Sequence, residues 1–416
     1  METLVVRGGR PLVGTVSIHG AKNGALPLLA ASLLCPDDCT ICGCPEISDV
    51  ACAAEILTYL GCRVRRRKDV IRIDAADCSG CCIPQELSGR MRGSLIFLGA
   101  LLARHGCAEI SAPGGCVLGQ RPIDYHVGAL QTLGVIAETD DTTMRFSWPA
   151  RRGGTVKLPF PSVGATENLM LAATGVPDVV VIHGAAREPE IAELGRFLRA
   201  MGAEIEGEGS PTVTICGGKP LYGVRRRVLP DRIETATYLA MTAACGGDIT
   251  LERTDASLLE PVLTVLKRAG CELDAWCDTI RLRSDGALRG VEEIRAETYP
   301  GFPTDAQAPV TAALLCADGR SVIEDAVFPG RFLHVPELQK FGADIRTDGN
   351  RAVVHGVKAL SPATVQATDL RGGAGVLIAA LRANGESRIL NAELLRRGYA
   401  EPDAALQKLG AEVCFA

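Results

Sequence analysis

One short phrase recurs six times in this chain, and it constrains the fold more than any other feature of the sequence. It reads LGCRVRR around Gly61, LGVIAET around Gly134, MGAEIEG around Gly202, AGCELDA around Gly270, FGADIRT around Gly342 and LGAEVCF around Gly410. The glycines stand about seventy residues apart, a spacing that means one structural unit used six times. Each follows a helical pattern and precedes an alternating one, so each is expected to end a helix. Residues that obey the repeat are then scaffold, and residues that break it are candidates for function.

The rest of the unit keeps one order. A loop with Gly or Pro leads into an apolar helix, as in ALPLLAASLL, GSLIFLGALLAR, TENLMLAATG, ETATYLAMTAA, APVTAALLCA and GAGVLIAALRA. A strand follows (CTICGC, AEISAP, VVVIHG, DITLER, SVIEDA, SRILNA), then a loop, then a second helix running into the glycine phrase. One or two alternating strands close the unit, such as VIRID after Val70 and TVTIC after Thr212. This predicts an α/β chain of six βα-rich units, divided three and three near Leu229-Pro230. A length of 416 residues also exceeds what one ordinary core serves.

Composition narrows the class. With 47% hydrophobic and 22% charged residues the chain has the balance of a folded globular protein. Apolar runs such as ALPLLAASLLC fall short of the roughly 18 residues of a membrane helix, and METLVVRGGR lacks a signal-peptide core. A net charge of −5 does not suggest a nucleic-acid surface. A cytoplasmic protein is expected, with no membrane or nucleic-acid partner.

Seventeen cysteines, an odd number at irregular spacing, do not resemble a secreted disulfide framework. Cys39/Cys42 and Cys78/Cys81 have the CxxC spacing that can seat zinc. Cys39 and Cys42 also lie in a strand-like run where cysteine acts as a small hydrophobe, and that reading is preferred.

Two loops of each unit carry unusual residues. The loop before the first helix holds Lys22-Asn23, Arg90-Met91-Arg92, Ser162-Val163-Gly164, Asp231 to Glu234, Thr304 to Gln307 and Asp369-Leu370-Arg371. The loop after the following strand holds Cys116 to Arg121, Arg187-Glu188, Phe328 to Arg331 and Arg396-Arg397. Helix N-termini offer unpaired N–H groups and a positive dipole end, so added Lys and Arg would make anion sites. Taken singly, such charges often only cap a helix or face solvent. Their recurrence at equivalent positions favours function, with convergence in a cleft between the halves if these face each other. The run PGGCVLGQRP is the sharpest of these signals: glycines flank Cys116, and Arg121 can both lower its thiol pKa and grip an anion.

Ten runs in order carry a resemblance that spans the chain: GAKNGALP, RMRGSL, PGGCVLGQRP, PSVGATEN, AAREPEI, LPDRIET, GFPTDAQA, FPGRFLHVPEL, ATDLR and RGY. The sequence resembles the UDP-N-acetylglucosamine enolpyruvyl transferases (1-carboxyvinyltransferases) of bacterial cell-wall synthesis. The resemblance implies a two-domain inside-out α/β barrel of six repeated βα units. Residues 21–229 would form the domain carrying the Cys116 loop. Residues 1–20 plus 230–416 would form the domain carrying Asp305, Arg331, Arg371 and Arg397.

The resemblance also implies the chemistry. Phosphoenolpyruvate brings a carboxylate and a phosphate, and Lys22, Arg92, Arg121, Arg331, Arg371 and Arg397 look like the cations that hold it. Cys116 would give a proton to its methylene carbon and can form a covalent adduct; Asp305 would be base or orienting group at the sugar hydroxyl. Asp305 also reads as a helix N-cap. The UDP-sugar would lie along Asn23, Arg92, Arg121, Pro122, Ile123, Asp124, Ser162, Val163, Gly164, Asp305 and Val327, and no cofactor or metal is implied. Phe160, Arg396 and the GGAG run after Arg371 depart from the family pattern, which bears on substrate affinity more than on reaction type. The alternatives are a non-catalytic UDP-sugar-binding paralogue and the sister shikimate 3-phosphate enolpyruvyl transferase, against which GAKNGALP and PGGCVLGQRP argue.

Overall fold

The computed structural model of the chain describes residues 2–111, 123–140 and 142–416. They form two compact units, one of residues 20–111 and 123–229, the other of residues 2–19 with Pro230–Ala416. Among the described residues each unit carries three four-stranded sheets built to one plan. In the third repeat, Gly154–Lys157 runs parallel to Val179–His183, which pairs antiparallel with Thr212–Cys216, itself antiparallel to Glu204–Glu206.

Both units close on themselves by borrowing a distant strand. Arg225–Arg227, at the end of one unit, lies parallel to Cys39–Cys42 in that unit's first sheet. In the other unit Thr3–Gly8 lies between Gly385–Leu390 and Glu412–Phe415, and Leu12–Ser17 runs parallel to Gly247–Glu252. The first strands of the chain therefore complete sheets whose other strands lie hundreds of residues away, which explains why residues 2–19 belong with the second half.

The leading helix of each repeat is mostly apolar and buried on nearly every side. Helix Arg232–Cys245 is buried along residues 232–244, and Leu370–Arg382 along 370–381. These two pack on each other and on Gln307–Ala313 at the centre of their unit, and the sheets surround them. In the other unit Phe97–His105 lies so close to Val163–Ala173 that a Cβ on Gly99 would meet the Asn168 carbonyl at 2.2 Å. The second helices are amphipathic instead: Glu260–Arg268 buries Val262, Leu263, Val265 and Leu266 and ends on Lys267 and Arg268. Helices inside and sheets outside, repeated six times, make this an inside-out α/β barrel fold.

All six phrase glycines have φ between 85° and 110°, the left-handed region that glycine enters without a Cβ clash. Each N–H returns to the carbonyl three residues back, as in Gly61 to Thr58 and Gly410 to Gln407. In five of them the next residue also bonds back to the last turn, as Cys271 does to Leu266, which makes the Schellman closure. At Gly270, Gly342 and Gly410 a Cβ would meet nothing within 4 Å, so backbone conformation, and not crowding, demands glycine there.

The CxxC pairs do not act as pairs. Cys39 and Cys42 are buried in the strand Cys39–Cys42, and Cys39 Sγ sits 3.7 Å from Cys35 Sγ. Cys78 is buried, its Sγ 3.8 Å from His105 Nε2, while Cys81 is half-buried. Among the described residues no group of three or more His, Cys, Asp or Glu is arranged to hold a metal, and no helix is long and apolar enough to cross a membrane.

Candidate active site

In the second unit, the fifth and sixth repeats bring three predicted residues together. Asp305 lies in the short 3-10 turn Thr304–Ala306. Its Oδ1 accepts from Arg331 Nη2 at 2.5 Å and its Oδ2 from Arg371 Nη2 at 3.2 Å. Both arginines are buried, while the carboxylate keeps about a quarter of its side chain exposed (25%). Arg371 Nη1 donates to Tyr399 Oη at 3.2 Å, and that hydroxyl meets Thr237 Oγ1 at 2.9 Å. Arg331 packs over the Phe328 ring, 5.6 Å from its centroid. The expectation that Asp305 caps a helix is not met: the cap positions are Pro303 and Ala306, neither with a side-chain bond.

Arg371 sits in the first turn of Leu370–Arg382 and Lys22 in the first turn of Lys22–Ala31, where the positive dipole end disfavours cations. Burying cations there costs stability, and an anion bound at the same turn would offset it. Asp369 and Asp231 are the true caps of their helices: Asp369 Oδ1 accepts from the Arg371 and Gly372 N–H groups, Asp231 Oδ1 from those of Ile233 and Glu234. For those two aspartates the capping reading holds.

Two buried residues that the sequence did not point to support this cluster. Asp325, fully buried, accepts from Thr304 Oγ1 at 2.6 Å and from the N–H groups of Val327 and Phe328 at 3.0 and 2.7 Å. It thereby ties the turn carrying Asp305 to the loop leading to Arg331. His334 is fully buried, and neither ring nitrogen has a partner among the described residues. Burial pushes its pKa down to about 4, with Arg331 adding to the shift and Asp369 opposing it. Arg397 ends the 3-10 segment Ala392–Arg397, half-buried. Its neighbour Arg396 pairs with Glu2 at 2.9 Å and lies over the Phe415 ring.

In the first unit, Lys22 Nζ pairs with Asp49 Oδ2 at 2.7 Å, and Asp49 is almost fully buried. Asn23 follows Lys22 in the same turn. Arg92 opens the 3-10 segment Arg92–Ile96 and faces His126, whose pKa falls to about 4 through burial and the Arg92 charge. Asn168 Nδ2 stands 2.9 Å from His126 Nδ1, and the His126 ring lies where a Cβ on Gly164 would project, 2.9 Å from Cε1. Ser162 caps helix Val163–Ala173, its Oγ accepting from the Ala165 N–H at 3.4 Å, so Val163 and Gly164 form a helix start with N–H groups outward. Ile123 precedes helix Asp124–Thr132, and the Tyr125 ring stacks on Phe160 at 6.3 Å between centroids. Cys116, Arg121 and Pro122 lie outside the described residues.

Asp49, His126 and Asp325 escaped the sequence reading. ISDVA showed an acidic first turn at Asp49, but nothing in that run announced burial beside Lys22.

The family model described as EPSP synthase (3-phosphoshikimate 1-carboxyvinyltransferase) matches residues 6–403. The chain is 42% identical over 99% of both lengths to UDP-N-acetylglucosamine 1-carboxyvinyltransferase 2 of Caldanaerobacter subterraneus subsp. tengcongensis. It is 40% identical to the UDP-N-acetylglucosamine 1-carboxyvinyltransferase of Finegoldia magna, covering 99% of this chain and 98% of the relative. Among solved structures, the enolpyruvyl transferase NikO of Streptomyces tendae superposes with a TM-score of 0.90 at 26% identity, over 100% of this chain and 99% of NikO. EPSP synthase of Acinetobacter baumannii, at 17% identity and a TM-score of 0.75 over the whole of both chains, shares the fold. With relatives of that name matched end to end at 40–42% identity, this chain belongs to the UDP-N-acetylglucosamine 1-carboxyvinyltransferase family of enolpyruvyl transferases.

Proposed function

We propose that this enzyme transfers the enolpyruvyl group of phosphoenolpyruvate to the 3-hydroxyl of UDP-N-acetylglucosamine and releases phosphate. This would be the first committed step of peptidoglycan precursor synthesis, carried out in the cytoplasm. The observation that carries the reading is Asp305 held between buried Arg331 and Arg371, in a chain aligned throughout with such transferases. Two fixed guanidiniums suit a carboxylate or phosphate through paired N–H forks. Asp305 accepts one N–H from each through a different oxygen, and a carboxylate fixed in this way suits a sugar hydroxyl as donor.

Residues 21–229 contribute Lys22, Arg92, Cys116 and Arg121, and residues 1–20 with 230–416 contribute Asp305, Arg331, Arg371 and Arg397. The cations hold the carboxylate and phosphate of phosphoenolpyruvate and neutralise the charge on the departing phosphate. Cys116 gives its proton to the methylene carbon, the sugar oxygen attacks the resulting cationic carbon, and Asp305 takes or orients the hydroxyl proton. Phosphate then leaves the tetrahedral intermediate as a proton is removed from its methyl carbon, which restores the methylene. The outward N–H groups near Ser162 to Gly164 receive the nucleotide, with Asn23, Ile123, Asp124 and Val327 along the UDP-sugar.

The test is phosphate release from phosphoenolpyruvate with UDP-N-acetylglucosamine as acceptor. Release only with shikimate 3-phosphate would assign the sister reaction, and UDP-sugar binding without turnover would assign a binding protein. Cys116→Ser is expected to abolish covalent labelling by the epoxide antibiotic fosfomycin; persistent labelling would identify another thiol.

A further inference from the structure

The pair of Asp305 and Arg371 continues inward as a chain of hydrogen bonds whose direction is fixed at both ends. A guanidinium only donates, so Tyr399 Oη accepts from Arg371 Nη1 at 3.2 Å. A carbonyl only accepts, so Thr237 Oγ1 gives its single hydrogen to the Ile233 carbonyl, 2.8 Å away in helix Arg232–Cys245. Tyr399 Oη and Thr237 Oγ1 stand 2.9 Å apart, and with the threonine hydrogen placed on Ile233 the tyrosine is the donor. The order runs from Arg371 to Tyr399, from Tyr399 to Thr237, and from Thr237 to the Ile233 carbonyl.

Arg371, Tyr399 and Thr237 are all buried, and helix Arg232–Cys245, on which the chain ends, is buried along residues 232–244. Burial holds the Tyr399 phenol above its usual pKa, against the pull of the Arg371 charge, so the hydroxyl keeps the proton it donates. The Arg371 guanidinium also lies over the Tyr399 ring, 5.7 Å from its centroid. Local sequence brings the ring there: the Tyr399 N–H bonds back to the Leu395 carbonyl, and a Cβ on Gly398 would lie 2.6 Å from Leu370 Cδ2, one residue before Arg371. Tyr399 holds Nη1 and Asp305 holds Nη2, so any turn of the planar guanidinium breaks one of the two bonds.

We propose that Tyr399, backed by Thr237, is a positioning residue that sets the plane of the Arg371 guanidinium for the anionic groups of phosphoenolpyruvate. This rests on the reading that Arg371 is one of the cations holding that substrate. Without the phenol hydroxyl the guanidinium keeps its charge and its bond to Asp305, but loses the second point that fixes its plane. The loss therefore falls on the use of phosphoenolpyruvate and not on the UDP-sugar.

Tyr399→Phe keeps the ring and removes the hydroxyl. It should lower kcat/KM for phosphoenolpyruvate roughly tenfold, the size of one hydrogen bond to a charged group, with KM for UDP-N-acetylglucosamine held within about twofold. Thr237→Val should act in the same direction and Thr237→Ser should restore the wild-type value. The double variant Tyr399→Phe/Thr237→Val should be no worse than Tyr399→Phe, because both changes cut one chain. A second readout needs no turnover: in the full chain with isotopically labelled arginine, Arg371 should show separate Nη resonances, assigned by their loss in Arg371→Lys. In Tyr399→Phe these should merge as rotation about the Nε–Cζ bond becomes fast. In an active chain, an unchanged kcat/KM for phosphoenolpyruvate in Tyr399→Phe, or additive losses in the double variant, would overturn the proposal. If the wild type does not turn these substrates over, the transferase reading alone fails, and Nη resonances that stay separate without the hydroxyl overturn the positioning role.

Discussion

Arg331 Nη2 donates to Asp305 Oδ1 at 2.5 Å, with the arginine 3% exposed and the carboxylate 25% exposed. The cation is locked inside the protein and its anion faces outward. The fold thus presents a carboxylate whose position is set from behind, by Arg331 and by Arg371.

Asp305→Asn keeps the shape and removes the charge, so turnover should fall by roughly 10²–10⁴-fold while the fold survives. Asp305→Ala should in addition lower stability by about 3 kcal/mol or more, because two buried guanidiniums lose that carboxylate. Steady-state kinetics and urea unfolding separate the two effects. Near-normal turnover in the asparagine variant would remove Asp305 from the chemistry.

Asp325 should behave as a positioning residue. Asp325→Ala releases Thr304 and the Val327 and Phe328 N–H groups, at a cost of roughly 1–3 kcal/mol for each buried group left unsatisfied. Asp325→Asn retains one acceptor oxygen and should recover part of kcat. Equal losses of kcat in both variants would count against a positioning role.

His334 makes acid stability a test of the site's interior. Its folded pKa, about 4, lies below the unfolded value near 6.5, so the unfolded chain binds the proton first. Stability from this group is complete above about pH 6.5 and is lost as pH falls toward 4, up to roughly 3 kcal/mol. His334→Phe should flatten that part of the pH–stability curve. An unchanged acid limb would show that the ring is solvated.

Glu193 works in the opposite sense. Burial pushes its pKa up to about 7, even though both carboxyl oxygens accept from the Leu229 N–H. The folded state holds the proton more tightly, so stability falls as pH rises from about 4.3 to 7. Glu193→Gln should match the wild type near pH 4 and exceed it by a few kcal/mol above pH 7, as read from urea midpoints. A constant difference across that range would exclude titration as the cause.

Gly270 has φ near 109° and open space around its missing Cβ. Gly270→Ala should cost about 1–2 kcal/mol from backbone strain alone, and Gly270→Asn less, because asparagine tolerates the left-handed region better. Equal costs would point to packing in place of φ.

Much of the scaffold was legible because it follows from local rules. The apolar leading helices, the strands after them and the helix-ending glycines all appear where spacing and composition put them. Ser162 to Gly164 read as the loop before a helix, and Ser162 caps that helix. Asp305 also reads as a cap and is not, because Arg331 and Arg371, distant in sequence, claim its oxygens. Cys78 reads as half of a CxxC pair, and its sulphur lies 3.8 Å from His105 Nε2, a residue well along the chain.

The sequence alone determined the six-fold repeat and the α/β class, since helix periodicity and glycine conformation are properties of short stretches. Tertiary structure decided which charges are buried and what they face. Lys22 meets Asp49, Arg371 meets both Asp305 and Tyr399, and Asp325 joins two loops. Those relationships depend on contacts between segments far apart in the chain, where burial makes an ion pair or a lone histidine costly enough to matter, and no local pattern encodes that cost.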